Sequence, residues 1–432
     1  MRIIVLLVSL WSLPSWAVLP VETWKTANGA KVLFIAGRDL PMVDVRVTFN
    51  AGSARDGELP GLARLTNAVL VEGAAGIPGQ VLFQRLEDVG AEFSNRSYRD
   101  MALLGLRVLS DEQPLREAGD VIADMLTRPD FPQDAVDRDR ASLIAGVRSR
   151  AELARSVATD ALFETLYAGH PYAHPSGGTE AALKAITRED LLAFHRRYYV
   201  ARNAVVAIVG DLDSDGAKAL AEKLVGRLPA GEPAQRLPPP KPDSSRKRIR
   251  VAHPGVQSHV YLAGVGVAHG DPDRTPLHVG NHLLGGNGLV SLLSEKLRGE
   301  LGLTYSVSSR FTPMGAPGPF RIGLQTRADQ VDEALQAVDE VLDGFLRRPL
   351  DPEQVARTKQ NLTGGFALRI AGNGRLLDQL SFIGFYDYPT DWLSAYIGRI
   401  EAVTPEDIQD AFRRRVRRDE MITVIVGPQS RE

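Results

Sequence analysis

The stretch that decides the fold is AITREDLLAFHRRYYVARNAVVAIVG at residues 185–210, because a related stretch, AVTPEDIQDAFRRRVRRDEMITVIVG, occupies residues 402–427. Each begins with Thr followed by acidic residues, which is typical of a helix whose first free N–H groups are capped by the Thr side chain. Each then passes through a basic cluster into an apolar run that ends in Gly. Both stretches therefore predict a helix followed by a buried strand.

The two stretches are separated by the same distance at both ends, 217 residues (402 against 185, and 427 against 210). A second pair of matches, DMLTRP ending at Pro129 and GFLRRP ending at Pro349, is 220 residues apart. Matches in the same order at nearly the same spacing indicate an internal duplication. Strand-rich and helix-rich segments are unevenly distributed in each half, which predicts an α+β fold with antiparallel sheets.

The clearest break between the halves is a stretch rich in Pro and polar residues at 228–248. It predicts a linker between an N-terminal half at 18–227 and a C-terminal half at 249–432. The chain of 432 residues is long enough for two domains. Its net charge of −2 gives no general preference for nucleic acid or for an anionic membrane.

Residues 1–17, MRIIVLLVSLWSLPSWA, have the pattern of a secretory signal peptide. One Arg precedes an apolar run that is too short to span a bilayer, and a small-x-Ala sequence follows. We therefore expect export, to a bacterial periplasm, of a mature chain that starts near Val18. The sequence has no Cys, which excludes thiol catalysis and Cys-based metal sites.

Residues 60–73, PGLARLTNAVLVEG, predict a helix that opens after Pro60 and stops at Gly73. Its apolar residues share one stripe of the helix surface. A second stripe carries Arg64, Asn67 and Ala68, which lie within about one turn of one another.

Two pairs of His residues invite comparison with a metal site. His278 and His282 are four residues apart, but no Glu lies between them to act as a base. His170 and His174 lie in GHPYAHP, where the Pro residues disfavour a helix and predict a turn. The Gly-rich residues 283–290 lack a phosphate-binding signature and predict a turn between two helices.

Residues 291–309, SLLSEKLRGELGLTYSVSS, predict a helix that ends near Glu300, with Gly302 as its stop. A strand is expected next, with Leu303, Tyr305 and Val307 on one face. Arg298 would lie in the last helical turn. On composition alone, a contact with the helix dipole explains Arg298, and a half-buried strand position explains Tyr305.

The mature chain resembles, over essentially its whole length, the pitrilysin/insulinase family of zinc metallopeptidases, the inverzincins, which include the mitochondrial processing peptidase. The resemblance lies in the duplicated halves, HPY at 170–172, the 185–211 segment and LRGELGLTYSV at 297–307. It implies two related α+β halves that face each other across a cleft. It also implies that Arg298 and Tyr305 match a pair that holds the substrate carbonyl and stabilises the oxyanion.

Active members carry H-x-x-E-H on the helix that corresponds to residues 60–73. By this resemblance Arg64 replaces the first His, Asn67 the general base and Ala68 the second His. The third ligand, a Glu, would follow about 75 residues later, but residues 141–150 (ASLIAGVRSR) contain no carboxylate. Arg and Ala do not bind Zn²⁺ and Asn does not deprotonate water, so we expect no metal in this chain.

The resulting hypothesis is an exported, non-zinc subunit of a heterodimeric zinc endopeptidase. A homologous partner would supply the zinc site, and this chain would supply Arg298 and Tyr305 and help to bind an extended peptide. The alternative is a non-catalytic scaffold or peptide-binding protein of the same fold. An enzyme that uses His278 and His282 is a third, weaker alternative, since it lacks a base and a third ligand.

Overall fold

The computed structural model describes residues 20–241 and 247–428. The predicted signal peptide at 1–17 and part of the predicted linker, residues 242–246, lie outside the described residues. The strands of the first half are β1 (Glu22–Lys25), β2 (Lys31–Ala36), β3 (Met42–Phe49), β4 (Gly73–Ala74), β5 (Ile77–Pro78), β6 (Glu92–Ser97), β7 (Ala102–Leu109) and β8 (Ala204–Gly210). Those of the second half are β9 (Arg248–Ala252), β10 (Gln257–Val265), β11 (Val307–Phe311), β12 (Pro319–Arg327) and β13 (Ile422–Gly427).

The two main sheets share one strand order. The first is β1-β2-β8-β3-β7-β6, and the second, read in the same direction, is β9-β13-β10-β12-β11. One neighbouring pair in each sheet is parallel, β2 with β8 and β9 with β13, and the other pairs are antiparallel. The predicted α+β class with two related halves is confirmed. The prediction did not include the one pair of parallel strands that each sheet contains.

The helices also fall into two sets. The first half contains α1 (Leu62–Val69), α2 (Gly79–Asp88), α3 (Glu112–Thr127), α4 (Gln133–Ala151), α5 (Ala154–Leu166), α6 (Glu180–Ala185), α7 (Arg188–Tyr198) and α8 (Ser214–Val225). The second half contains α9 (Arg274–Asn281), α10 (Leu292–Ser294), α11 (Val331–Arg347), α12 (Pro352–Gly364), α13 (Phe366–Arg369), α14 (Asn373–Phe385), α15 (Tyr396–Glu401) and α16 (Pro405–Arg415). Two π-helical segments, His282–Gly286 and Glu295–Glu300, flank α10.

The duplicated stretches fold as predicted. Thr187 and Thr404 each cap a helix in a full capping box, with Asp190 and Asp407 as the reciprocal partners. The strands that follow, β8 and β13, are buried along their whole length at the centre of their sheets. They are buried on both faces, which explains why they are continuously apolar rather than alternating.

Each sheet is covered on one face by a helix from the other half of the chain. In the second half, α14 places Leu377, Leu380 and Ile383 against residues of β2 and β8 in the first sheet. In the first half, α5 places Ala158 and Leu162 against residues of β10 and β13 in the second sheet. The halves therefore exchange one helix each and are joined through two shared hydrophobic cores.

A buried carboxylate reinforces this junction. Asp100, in the turn between β6 and β7, accepts hydrogen bonds from the Tyr172 hydroxyl, the Tyr386 hydroxyl (3.0 Å) and the Gly315 N–H (2.8 Å). Tyr386 and Gly315 belong to the second half. Burial and the charge of Asp100 raise the pKa of both tyrosine hydroxyls well above their usual value, so both act as donors.

Residues 226–241 contain neither helix nor strand, and β9 begins at Arg248, the last residue of the predicted linker. None of the helices within residues 20–241 and 247–428 is long and apolar enough to cross a bilayer.

We predict that Leu380→Ala lowers the free energy of unfolding by about 2–5 kcal/mol, because it opens a cavity in the core that α14 shares with the first sheet. Urea unfolding followed by circular dichroism measures the change. Leu368→Ala is the matched control, since Leu368 is 71% exposed on the neighbouring α13, and it should shift stability by less than about 0.5 kcal/mol. Equal effects of the two substitutions would contradict the exchanged-helix core.

Candidate functional site

The helix that replaces the zinc helix, α1, is held at its start by a buried carboxylate. Asp56 accepts hydrogen bonds from the N–H groups of Gly61 and Ala63, both at 2.7 Å. Gly61 has φ of 107°, and a Cβ there would lie 2.8 Å from the Leu183 side chain, so the chain enters the helix through a position that requires Gly. Burial raises the pKa of Asp56 to about 7, although the two N–H bonds act in the opposite direction.

The helix is shorter than predicted. It ends at Val69, and Gly73 lies instead in β4, which pairs with β5 in a short hairpin. The prediction was wrong there because Leu70 and Val71 also satisfy a helical pattern, whereas Gly73 and Ala74 pair with Pro78 and Ile77 in the hairpin and end the helix before Gly73.

The three positions of the second stripe have different surroundings. Arg64 is exposed, Ala68 is partly exposed, and Asn67 is buried. The Asn67 carbonyl accepts a hydrogen bond of 2.8 Å from Asn95 on β6. Within the described residues, Thr66 Oγ1 is buried without a hydrogen-bond partner. Burial raises the pKa of the Tyr199 hydroxyl, and the Asn67 side chain, which lies at that hydroxyl, acts more weakly to lower it. The polar groups at this position are therefore amide and hydroxyl rather than imidazole and carboxylate.

The segment expected to carry the third ligand belongs to α4. Its partly buried residues Leu143, Ile144 and Val147 pack against the first core. The acids of α4 itself, Asp134, Asp137 and Asp139, lie in its first two turns. Arg138 pairs with Asp139 and with Glu72 beside the helix, and burial raises the pKa of both carboxyls. Across residues 20–241 and 247–428, no group of three or more His, Asp or Glu side chains could hold a metal ion. The residues of this chain therefore do not fit the zinc site that the resemblance implies.

Arg298 and Tyr305 contact each other at the surface of the second half. The Arg298 guanidinium carbon lies 4.9 Å from the centre of the Tyr305 ring, which is a cation–π contact. Tyr305 is 83% exposed. In the described part of the chain, Arg298 has no carboxylate within 4.0 Å, so its charge is available to another molecule.

The segment between the helix and the strand differs from the prediction. Helical structure ends at Glu300 and Gly302 is left-handed, as expected, but β11 begins only at Val307. Leu303 is buried and Tyr305 is exposed, so they do not share a face of a strand. The Thr304 hydroxyl donates to Gln325 O at 2.6 Å, which takes residues 303–306 out of the ladder and turns Tyr305 outward.

The vacated helix and the Arg–Tyr pair belong to different halves. The principal contacts of α1 are with α4, α7 and β6, and those of the segment that carries Arg298 are with α10 and α11. Arg298 and Tyr305 are in contact, and Arg64, Asn67 and Ala68 share one stripe of α1. Among residues 20–241 and 247–428, none of the principal contacts between elements joins these two groups.

The second half contains its own counterpart of α1, which the sequence reasoning missed. Helix α9 packs on α16 and α12 as α1 packs on α7 and α4. Its residues His278 and Asn281, and His282 directly after its end, stand 214 positions after Arg64, Asn67 and Ala68. The sequence contains a sign of this correspondence, because residues 278–282 read H-x-x-N-H, which has the spacing of H-x-x-E-H. Considered only as two His residues four apart, they do not reveal it.

The two imidazoles of α9 have environments that keep them neutral. Desolvation lowers the pKa of His278 to about 4, and the charges of Arg369 and Arg274 act in the same direction. Desolvation also lowers the pKa of His282. Neutral His can bind a metal, but no third His, Asp or Glu joins them among the described residues.

Comparison with known proteins finds two models of the same peptidase family, which match successive parts of the chain. Residues 31–180 match the family model "Insulinase (Peptidase family M16)", and residues 185–362 match "Peptidase M16 inactive domain". A crystal structure of a peptidase M16 inactive domain from Pseudomonas fluorescens is similar, with 37% identity and a TM-score of 0.92 over 96% of this chain and 100% of that chain. The chain belongs to peptidase family M16, the insulinase family.

Two curated M16 relatives illustrate the range of the family. An uncharacterized zinc protease of Streptomyces coelicolor is 27% identical over 79% of this chain and 75% of its own length. A non-peptidase homolog of Helicobacter pylori is 24% identical over 95% of each chain. The family resemblance drawn from the sequence is confirmed, and α1 of this M16 chain carries Arg64, Asn67 and Ala68, none of which is a usual zinc ligand.

We predict that Asp56→Ala lowers the free energy of unfolding by about 1–3 kcal/mol, because two N–H groups at the start of α1 lose their acceptor. Urea unfolding measures the loss, and hydrogen exchange should become faster at the first turn of α1. Asp88→Ala is the control, since Asp88 is exposed at the end of α2, and it should change stability by less than about 0.5 kcal/mol. An unchanged stability of Asp56→Ala would show that the cap does not support the helix.

Proposed function

We propose that this chain is the non-zinc subunit of a heterodimeric zinc endopeptidase, to which it supplies Arg298 and Tyr305. The observation that carries the proposal is that Arg298 and Tyr305 contact each other while the Tyr305 side chain is exposed to solvent. A tyrosine that is 83% exposed lies against a guanidinium with no ion-pair partner in the described chain, while α1 offers no metal ligands. Such a pair has no evident use inside this chain.

The chemistry of the pair suits acyl transfer. Peptide hydrolysis places negative charge on the oxygen of the scissile carbonyl, and donors aimed at that oxygen lower the barrier. Arg298 supplies a permanent positive charge with several N–H donors, and Tyr305 supplies a phenolic O–H. The partner's zinc site would activate the attacking water, and this chain would bind and orient the carbonyl.

Two sheet edges support the binding of an extended peptide. The edge strand β11 begins two residues after Tyr305, and the edge strand β6 lies against α1. An edge strand presents unpaired backbone N–H and C=O groups, which an extended peptide can pair with irrespective of its sequence. Both elements of the proposed site therefore lie next to an edge that could hold a peptide backbone.

An exposed apolar surface lies in the same segment as the pair. Leu289 and Val290 are 68% and 74% exposed, and Leu301 is 41% exposed. Large apolar side chains left in water mark contact surfaces on soluble proteins. We assign this surface, together with Tyr305, to contact with the homologous zinc subunit or with its peptide.

The proposal includes the location and the metal content of the complex. The signal peptide predicted at 1–17 would direct this chain to the periplasm, where it would meet the zinc subunit. This chain would bind no cofactor, and the zinc of the complex would be held by the partner.

A non-catalytic scaffold or peptide-binding role is the second candidate. It is favoured by the relative in Helicobacter pylori that is called a non-peptidase homolog and covers 95% of this chain. In that role the sheet edges would hold a peptide and the Arg–Tyr pair would contribute only to binding.

We predict that hydrolysis of an unstructured protein in the presence of Zn²⁺ occurs only when this chain is mixed with a homologue that carries H-x-x-E-H. The assay compares this chain alone, the homologue alone and the mixture. Activity of this chain alone would contradict the vacated site. No activity in any of the three would favour the scaffold.

Substitutions in the pair should then separate catalysis from assembly. Arg298→Ala and Tyr305→Phe are each expected to lower kcat of the mixture by about 10²–10³-fold, because each removes one donor to the oxyanion. Analytical ultracentrifugation should show that the complex still forms. Arg357→Ala and Tyr98→Phe, at exposed positions elsewhere, should leave kcat unchanged. Full activity of both pair variants would overturn the catalytic role.

A further inference from the structure

A cavity of about 510 Å³ lies in the second half, away from Arg298 and Tyr305, and His278 and Asn281 of α9 form part of its wall. Its walls come from α9, α13, α14, α15 and the 3₁₀ turn Thr390–Trp392. The lining combines apolar and aromatic side chains with polar and charged ones. Its aromatic members are Phe311, Phe366, Phe382, Trp392 and Tyr396. The volume is that of an ordinary small-molecule site.

Three arginines line this cavity, and each lies against an aromatic ring. The guanidinium carbon of Arg399 is 3.7 Å from the centre of the Trp392 ring, and that of Arg274 is 5.1 Å from it. The guanidinium carbon of Arg369 is 5.1 Å from the Tyr396 ring centre. One nitrogen of Arg369 donates to Leu362 O and to the Tyr396 hydroxyl (2.9 Å), and one of Arg399 donates to Trp392 O. A guanidinium has five N–H donors, so stacking and these bonds hold the planes in place and leave the remaining donors for a ligand.

These three arginines have no carboxylate partner. In the described part of the chain, no Asp or Glu oxygen lies within 4.0 Å of any of them. Asp378 lines the cavity, but its carboxylate is paired with Arg46 of the first half at 2.6 Å. Asp391 acts on Arg399 only from a longer distance. Burial lowers the pKa of Arg274 and of Arg399, which shows that their charges lack full solvation.

The duplication provides an internal comparison. In the first half, a cavity of about 400 Å³ is lined partly by equivalent segments, the end of α4 and helix α5, and there Arg150 is paired with Asp160 at 3.3 Å. Helices α5 and α14 are 219 positions apart at both ends, and at that spacing Arg150 corresponds to Arg369 and Asp160 to Gln379. The second half has therefore kept the arginine and replaced its carboxylate by a neutral amide.

We propose that the cavity binds an organic carboxylate with an aromatic or branched apolar body, whose charge takes the place of the missing Asp. Arg274 and Arg399 are partly buried and Arg369 is exposed at the edge of the cavity. A charge that has lost part of its solvation gains from a partner, and a guanidinium fork matches a carboxylate in two parallel hydrogen bonds. The aromatic walls provide the surface for the apolar body. A cationic ligand is excluded by the three positive charges and by the use of the ring faces for the protein's own arginines.

The same chemistry could come from a free aromatic acid or from the C-terminal carboxylate of a peptide. His278, at the wall of the cavity, is neutral above pH 5 since its pKa is about 4, so it adds no charge that would select between them. The proposal does not rest on the shared active site, because it requires neither a partner nor zinc.

Isothermal titration of the full chain tests the proposal with four probes. They are N-acetylphenylalanine, its carboxamide, a six-residue peptide with a free C-terminal Phe, and the same peptide amidated. Each acid should bind at least about tenfold more tightly than its amide, because the amide lacks the charge that pairs with the guanidinium groups. Preference for the peptide acid over the free acid would assign the source to peptides, and the reverse order would assign it to small acids.

Variants at Gln379 make the test specific. Gln379→Asp restores the pairing seen in the first half and should lower the affinity for the acids by about tenfold or more, whereas Gln379→Asn should leave it within about threefold. Arg399→Gln should weaken binding like Gln379→Asp, and Arg357→Gln, at an exposed arginine of the same half, should have no effect. Circular dichroism verifies that each variant is folded. Equal binding of acid and amide, no binding of either acid, or full binding by Gln379→Asp would overturn the proposal.

Discussion

The structure depends on a reciprocal packing, in which each half covers one face of the other half's sheet with one of its own helices. Each sheet has one face covered by helices of its own half and the other by α5 or α14 of the opposite half. Without the exchange, Leu33, Ile35 and Val209 in the first sheet would lose their apolar cover. The hydrogen bonds of Asp100 hold the same junction at a point where both halves meet. The relative position of α1 and the Arg–Tyr pair is a consequence of this packing.

The two halves share one architecture but differ in the side chains at equivalent positions. Asp56 caps α1, and α1 packs on α4 and α7, although its positions 64, 67 and 68 carry Arg, Asn and Ala rather than metal ligands. The helix keeps its place whatever these positions carry, because its burial comes from Leu62, Leu65 and Val69 on the other stripe. Gln379 is a similar case: α14 packs against the first sheet as α5 packs against the second, but Gln379 has an amide where the equivalent residue of α5 has a carboxylate.

Local patterns predicted the parts of the fold that are encoded locally. The Thr caps, the buried strands β8 and β13, the turn at residues 169–175 and the left-handed Gly302 follow from a few neighbouring residues. Tyr305 was placed in a strand because the residues around it alternate, but the Thr304 hydroxyl bonds to Gln325, which is distant in sequence. The correspondence of α9 with α1 was visible only once both were seen to pack on equivalent helices.

The exchanged helices also bear on how such a chain could have arisen. A single half contains a sheet whose second face is covered only by a helix from a different half, so one copy alone would leave a large apolar surface in water. Two identical copies, each lending its helix to the other, would satisfy both sheets at once. An ancestor of half the present length would therefore have been a symmetric dimer with two equal sites. A single chain that joins two copies has no such symmetry requirement, so equivalent positions can differ, as Asp160 and Gln379 do.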